Sequence, residues 1–423
     1  MSTPLRIHSF AEFDYRDKTV ILRLDINCPV DAATRKLRNA NRIDKSLGTL
    51  TRLLDQGAKV AIIAHQGDSQ DYKGLIPLCE HAERLSLRLG RPDRKVAYLD
   101  DVCGPAAVAA VRALKPGQAV LLGNLRYLAE EVSAFEFALK VPAKDYLNCY
   151  LVRSLAPIAD AYVNDAFAAA HRNSPSQVAF QEILPSAAGE LLFAEIAALS
   201  KVKDAPAQPA VYLLGGNRIS DAYGMMGEVL ASGAAHAILT CGVTGLVMLQ
   251  AKGVLLGPRA EKYIKDRSYD AFLPQSVELL EKYGDKIRLP LDVAFEDSGR
   301  RWEADVSSLP LDVDLFDIGE KTIAAYEREI LAAGTVFVNG PPGVYENPMF
   351  ARGSQALFTA VQNAPGFTVI GGGDSVSCGA AFIDMGKIGH VCTAGGAMVQ
   401  YLSGKPMPLI AAMEKAYAKT TQG

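Results

Sequence analysis

Basic and polar side chains recur where short apolar runs end in the first half of the chain. Arg23, Asp25 and Asn27 stand at the end of the run Val20-Leu24, and Arg42 opens the helical pattern that follows. His65 ends Ala-Ile-Ile-Ala, Arg126 follows Leu-Leu-Gly-Asn-Leu, and His171 and Arg172 come just after Asn164-Asp165-Ala166-Phe167. A single arginine is usually a surface or salt-bridge residue, and a single histidine is more often structural than catalytic. Several strand-end sites of one sign point to a small, multiply anionic ligand, because guanidinium forks match carboxylate and phosphate oxygens bidentately.

The second half answers with glycine. Gly215-Gly216-Asn217-Arg218 follows Val-Tyr-Leu-Leu, and Asn339-Gly340-Pro341-Pro342-Gly343 follows Val-Phe-Val. Gly371-Gly372-Gly373-Asp374 follows Phe-Thr-Val-Ile, and Thr393-Ala394-Gly395-Gly396 follows His-Val-Cys. Glycine lets backbone approach a phosphate, and helix N-terminal N–H groups bind anions, so four such loops indicate a nucleotide polyphosphate. None fits the dinucleotide fingerprint, which disfavours an NAD-dependent dehydrogenase. Gly319-Glu320-Lys321-Thr322 imitates the tail of a Walker A loop but inserts Glu320, and Asp314 stands where its first glycine belongs. Asp374 is a candidate magnesium ligand, with helix capping as its alternative role.

Anion-binding arginines in one half and nucleotide loops in the other make phosphoryl transfer the economical reading. No general base stands out, and a carboxylate acceptor, already ionised at neutral pH, needs none. Positive groups that offset charge on the transferring phosphoryl are then the main requirement.

The elements that must position these residues alternate between short apolar runs and amphipathic stretches, the rhythm of a parallel α/β sheet. Strands are expected at Val20-Leu24, Val60-Ala64, Val96-Leu99, Ala119-Leu122 and Ala161-Val163, with helices at Arg42-Leu54, Leu78-Leu89 and Ala106-Leu114 between them. A second series is expected at Ala210-Leu214, Ala237-Thr240, Thr335-Val338, Thr368-Ile370 and His390-Cys392. Leu184-Val202 reads as one helix, followed by a Pro-containing linker to Pro209. The expected fold is α/β, with two doubly wound parallel-sheet (Rossmann-like) lobes joined by a hinge helix. The boundaries are an acceptor domain over 1–183, an interdomain helix and linker over 184–208, and a nucleotide-binding domain over 209–406. The lobes must close about the hinge to exclude water.

The 423 residues carry 44 Lys and Arg against 47 Asp and Glu, a formal net charge of -3. That balance argues against a nucleic-acid or anionic-membrane partner and leaves room for a local basic pocket. The 7 cysteines are scattered without a Cys-x-x-Cys pair and read as reduced thiols of a cytoplasmic protein. Val229-Ala251 is free of Asp, Glu, Lys and Arg, yet its glycines, threonines and His236 suit a strand running into a helix better than a membrane span.

These motifs resemble those of the phosphoglycerate kinase family. Arg-Leu-Asp-Ile-Asn-Cys-Pro-Val (Arg23-Val30), Leu-Gly-Asn-Leu-Arg (Leu122-Arg126), Asn164-Asp165-Ala166-Phe167 with His171-Arg172, Leu184-Pro185-Ser186-Ala187-Ala188-Gly189, Asn339-Gly340-Pro341 and Gly371-Gly372-Gly373-Asp374 occur in the family's order across the chain. Ala64-His65-Gln66-Gly67 and the segment Ala166-Arg172 are closest to the archaeal-type branch. The resemblance implies magnesium-dependent exchange of phosphate between ATP and the carboxylate of 3-phosphoglycerate in glycolysis or gluconeogenesis, by a monomer. By position, it implies that Arg23, Asp25, Asn27, His65, Arg126, His171 and Arg172 hold the acceptor. Arg42, Arg218, Gly372, Gly395 and Gly396 would serve the transferring phosphoryl. Gly215, Gly216, Asn217, Arg218, Asn339, Gly340, Pro341, Gly343, Glu346, Gly371, Gly372, Gly373, Asp374 and Ser375 would hold ATP or ADP, with Glu346 on the ribose and Asp374 on the metal. A return of 407–423 to the N-terminal domain is also implied.

Three positions depart from the family pattern. Gly-Gly-Ala-Lys becomes Gly-Gly-Asn-Arg, with Arg218 in place of the lysine. Ala222 stands where the commonest form has a second lysine, and His-x-Gly-Arg becomes His65-Gln66-Gly67-Asp68. Asp68 motivates an alternative, a paralogue that phosphorylates another carboxylate. Arg218 and Ala222 motivate a second, a nucleotide-binding protein with little kinase activity.

Overall fold

A computed structural model of the protein describes residues 6–67, 75–91 and 93–421, so Asp68 lies outside the described residues. Contacts gather into two units. One contains the described residues up to Ala197 together with those from Pro406 onward, and the other is Ala198–Lys405.

The first unit is built on β1 (Thr19–Leu24), β2 (Lys59–Ile63), β3 (Val96–Tyr98), β4 (Ala119–Leu121), β5 (Ala161–Asp165) and β6 (Ser186–Ala188). All pairs are parallel, in the order β3-β4-β2-β1-β5-β6. Val20, Leu22 and Leu24 of β1 join Leu50, Leu53 and Ile62 on one face of the sheet. Ile21 joins Ile63, Val120 and Tyr162 on the other. Both faces are buried under helices, which is why the strand reads as an apolar run without polar alternation. The order reverses beside β1, so the crevice at its C-terminal end is the place for a ligand.

The second unit holds β7 (Ala210–Leu214), β8 (Ala237–Thr240), β9 (Ile287–Arg288), β10 (Asp292–Asp297), β11 (Arg300–Asp305), β12 (Leu315–Ile318), β13 (Thr335–Asn339), β14 (Phe367–Gly371) and β15 (His390–Val391). Six of these form a parallel sheet in the order β15-β14-β13-β7-β8-β9, with the reversal beside β7. The other three make an antiparallel sheet, β11-β10-β12. Val211, Leu213, Val336, Val338 and Ile370 pack one face of the parallel sheet against Ile323, Leu357, Phe358 and Val361.

Two expectations are corrected. Leu184-Val202 is not one helix: Ser186–Ala188 forms β6, paired with Tyr162–Asn164, and the helix runs Glu190–Lys203. Pro185 keeps Leu184 out of helical geometry, and the Asp165 carboxylate accepts from Leu192 N at 2.9 Å to start the helix late. Arg42-Leu54 is also two helices, Asn41–Lys45 and Leu47–Asp55. At the break, the Ser46 hydroxyl donates to Arg42 O (2.9 Å) and sits 3.2 Å from Asp25 O, which ties the helix to the strand-end loop.

The C-terminal helix Pro408–Thr421 packs in the first unit. Leu409 N donates to Ala170 O at 3.2 Å, and Lys415 and Lys419 both reach Glu182. Among the described residues no helix is long and apolar enough to cross a membrane.

Candidate active site

In the first unit the strand-end residues converge. Arg23 pairs in register with Ile63 and Asn164, which carries its side chain past the sheet edge. There it is 2% exposed, with Nε donating to Ser176 Oγ at 3.3 Å, one terminal nitrogen on Leu24 O and the other 2.8 Å from His65 Nδ1. Arg126, also 2% exposed, donates from Nε to Gly67 O at 3.1 Å and from a terminal nitrogen to Glu131 O. Arg42, at the mouth, pairs with Asp25 at 2.6 Å, and Asn27 Oδ1 accepts from Gly67 N at 3.0 Å.

The electrostatics follow from this crowding. Burial first, then the charges of Arg23, Arg126, Arg172 and Arg42, hold the His65 imidazole well below its usual range, so it is neutral with Nδ1 accepting from Arg23. His171 is likewise kept neutral by burial and by Arg172. Burial raises the pKa of Glu131, whose oxygens accept from Ser176 N (2.6 Å) and Ser176 Oγ (2.7 Å). Glu131 and Ser176 are thus a supporting layer for Arg23 and Arg126, absent from the expected site. A glutamate five residues after a strand-end arginine was the available signal. The arrangement suits a small polyanion that enters a basic, desolvated crevice.

The second unit assembles its loops by close backbone contact. Gly216 (φ +67°) donates from N to Pro341 O at 2.8 Å, and Gly340 (φ +92°) lies directly against the Gly215 carbonyl, where a Cβ would collide. Ser375 Oγ accepts from Gly340 N at 2.6 Å, so this hydroxyl braces the loop from within. Asn339 lies behind Gly372, which caps the helix Gly373–Phe382 and is adjacent to Gly395 at the start of the helix Gly395–Leu402.

Beside these loops is a cavity of about 430 Å³. Gly216, Asn217, Pro341, Gly343, Glu346 and Asp374 line it. Its apolar walls come from Leu246, Ala260, Tyr263, Pro290, Val293, Phe316 and Val344, none expected from sequence, because apolar residues dispersed over a hundred positions carry no local signature. Gly215, Asn339, Gly340, Gly371, Gly372, Gly373 and Ser375, expected at the nucleotide, are not among its lining residues. Asp317 also lines it, and burial pushes its carboxyl up to about 6 against hydrogen bonds from Gly353 N (2.8 Å) and Arg301 (2.9 Å).

Arg218 lies at the rim with Nε 3.8 Å from Asp374, both half-exposed or more. Ala222 is 1% exposed on the helix Ile219–Ala231 and brings no cation to this rim. Arg218 is therefore the cation that the Gly215-Gly216 loop offers. Asp374, an exposed hard oxygen donor in the first turn of a helix beside glycine-rich loops, fits a magnesium ion that keeps most of its ligands from phosphate and water.

A buried basic crevice in one Rossmann-like unit and an apolar cavity beside glycine-rich loops in the other suit a phosphotransferase of the α/β class. The family model for phosphoglycerate kinase matches residues 10–405, and the chain therefore belongs to the phosphoglycerate kinase family. It is 37% identical over 411 residues to the phosphoglycerate kinase of Methanothermus fervidus, covering 97% of this chain and 98% of that one. It is 38% identical over 409 residues to that of Methanopyrus kandleri, covering 96% and 97%. The crystal structure of phosphoglycerate kinase from Pyrococcus horikoshii OT3 superposes with a TM-score of 0.85 at 33% identity, covering 98% of this chain and 100% of that one. The Coxiella burnetii enzyme gives 0.80 at 27%, covering 97% and 99%.

Proposed function

We propose that this chain catalyses the reversible, magnesium-dependent transfer of the ATP γ-phosphoryl group to the carboxylate of 3-phosphoglycerate, as a cytoplasmic monomer. The observation that carries this reading is the partition of site chemistry: buried cations at the strand ends of one unit, glycine loops around a cavity in the other. Arg23, Asn27, His65, Arg126, His171 and Arg172 receive the acceptor's phosphate and carboxylate, and Asp25 orients Arg42. Glu346 receives the ribose, and the loops at Gly215-Gly216, Asn339-Gly343 and Gly371-Ser375 surround the polyphosphate. Magnesium, held by Asp374, would neutralise charge on the phosphate oxygens.

In the forward step a carboxylate oxygen forms a bond to the γ-phosphorus and the bond from that phosphorus to the bridging oxygen breaks. ADP leaves with the electron pair, and no proton moves. The groups assigned to offset the charge that gathers on the transferring phosphoryl are Arg42 from one unit, and Arg218 with the N–H groups of Gly372, Gly395 and Gly396 from the other. In a coupled assay Arg126→Ala raises the KM for 3-phosphoglycerate and leaves that for MgATP unchanged, while Glu346→Ala does the reverse. Equal effects of both variants on both constants would refute the partition.

A further inference from the structure

The three acceptor-binding loops leave neighbouring parallel strands, β4, β2 and β1, just where the backbone ladder ends. Their peptide groups are buried there and need partners. Two side-chain amides supply them. Asn124 accepts from Gln66 N at 3.1 Å and donates to Gln66 O at 3.0 Å, so it meets both polar groups of one residue as a strand neighbour would. Its Oδ1 also accepts from Arg126 N at 3.0 Å and its Nδ2 donates to Ile76 O at 2.9 Å, which uses all four hydrogen bonds the amide can make.

Gln66 repeats the pattern one strand further. Its side chain accepts from Cys28 N and donates to Cys28 O, both at 2.9 Å. Its Oε1 also accepts from Nε2 of His81 at 2.9 Å, a ring that burial keeps neutral with a pKa near 4. Asn124 and His81 are fully buried and Gln66 is 3% exposed. Each amide thus adds one rung to the parallel sheet beyond its strands, β4 to β2 and β2 to β1. The rungs lie next to the groups that face the ligand: Arg126 follows Asn124 by two residues, His65 and Gly67 flank Gln66, and Asn27 precedes Cys28.

We infer that Asn124 and Gln66 are positioning residues that set the spacing of Asn27, His65 and Arg126 around the acceptor, an inference that rests on the acceptor-site reading above. Neither amide touches the ligand; both act through the loops they join. Gln66→Met keeps the volume and removes the rung between β2 and β1, and Asn124→Ser removes the rung between β4 and β2. Gln66→Met is expected to raise the KM for 3-phosphoglycerate about 10- to 100-fold, the scale set by losing buried hydrogen bonds. The KM for MgATP is expected to stay within about twofold, because no rung reaches the nucleotide loops.

A lower melting temperature with both constants unchanged would reduce the amides to structural residues and overturn the inference. Should Asn124→Ser not fold, Gln66→Met carries the test alone. Calorimetric binding of inorganic sulfate separates the two claims, since it needs no turnover. If the wild type fails to turn over 3-phosphoglycerate but binds sulfate more than tenfold tighter than Gln66→Met, the reading of the acceptor fails and the positioning role holds. Equal sulfate affinity overturns the positioning role, and no sulfate binding by the wild type overturns both.

Discussion

The basic crevice holds its charges in an arrangement that a bound anion would complete. Arg23 and Arg126 are buried with hydrogen bonds to carbonyls and to Ser176, and His65 is held neutral between cations. A bound dianion offsets those cations and draws the His65 pKa upward. Sulfate binding near pH 6 should therefore take up a proton and tighten as pH falls, measured by calorimetry in two buffers of different ionisation enthalpy. His65→Gln should abolish the uptake, and zero uptake by the wild type would contradict the assigned environment. In the proposed reaction Arg42, paired with Asp25 at the mouth, serves the transferring group rather than the ground-state acceptor. Arg42→Ala is expected to lower kcat by about 100-fold or more with a much smaller change in acceptor KM. The strand-end arginines and glycines were legible because their residue types are unusual at those places. Glu131, Ser176, Gln66 and Asn124 were not, since a buried polar residue that pairs with backbone looks like any other polar residue until the partners are in place.

Elements differ in how plainly they were written. β1, β2, β7 and β13 are buried on both faces and read as apolar runs. β10 and β11 were missed because Asp297, Arg300, Arg301 and Glu303 interrupt any run, and β6 was read as helix because Ser-Ala-Ala carries no strand signal apart from its partner β5. Asp165, at the end of β5, accepts from Thr49 Oγ1 at 2.7 Å and caps the helix Glu190–Lys203, and burial pushes its carboxyl up to about 6. Because the folded pKa lies above the unfolded one, its contribution is largest below about pH 4 and is lost as pH rises through 6, by up to ~3 kcal/mol. Asp165→Asn should therefore gain on the wild type in denaturant melts as pH rises from 4 to 7; a pH-independent difference would contradict the buried titration. Gly340→Ala places a Cβ on the Gly215 carbonyl, a collision that adds to the strain of about 1–3 kcal/mol for a positive φ. Its KM for MgATP should rise, and that for the acceptor should not.

On the scale of the whole molecule, each unit carries its own parallel sheet and core, and the reaction needs a ligand on each. The net charge of -3 conceals this, because the basic crevice is a local cluster inside a mildly acidic chain. The apolar cavity wall was likewise invisible in sequence, drawn from helices and from β12 far apart in the chain. The most direct test of the account is the wild type's rate of 1,3-bisphosphoglycerate formation from 3-phosphoglycerate and MgATP, read through a coupled reductive assay. Turnover on the order of tens per second or more is expected, within the usual range for enzymes. Calorimetric binding of MgATP with no turnover, or turnover only with another carboxylic acid, would contradict it.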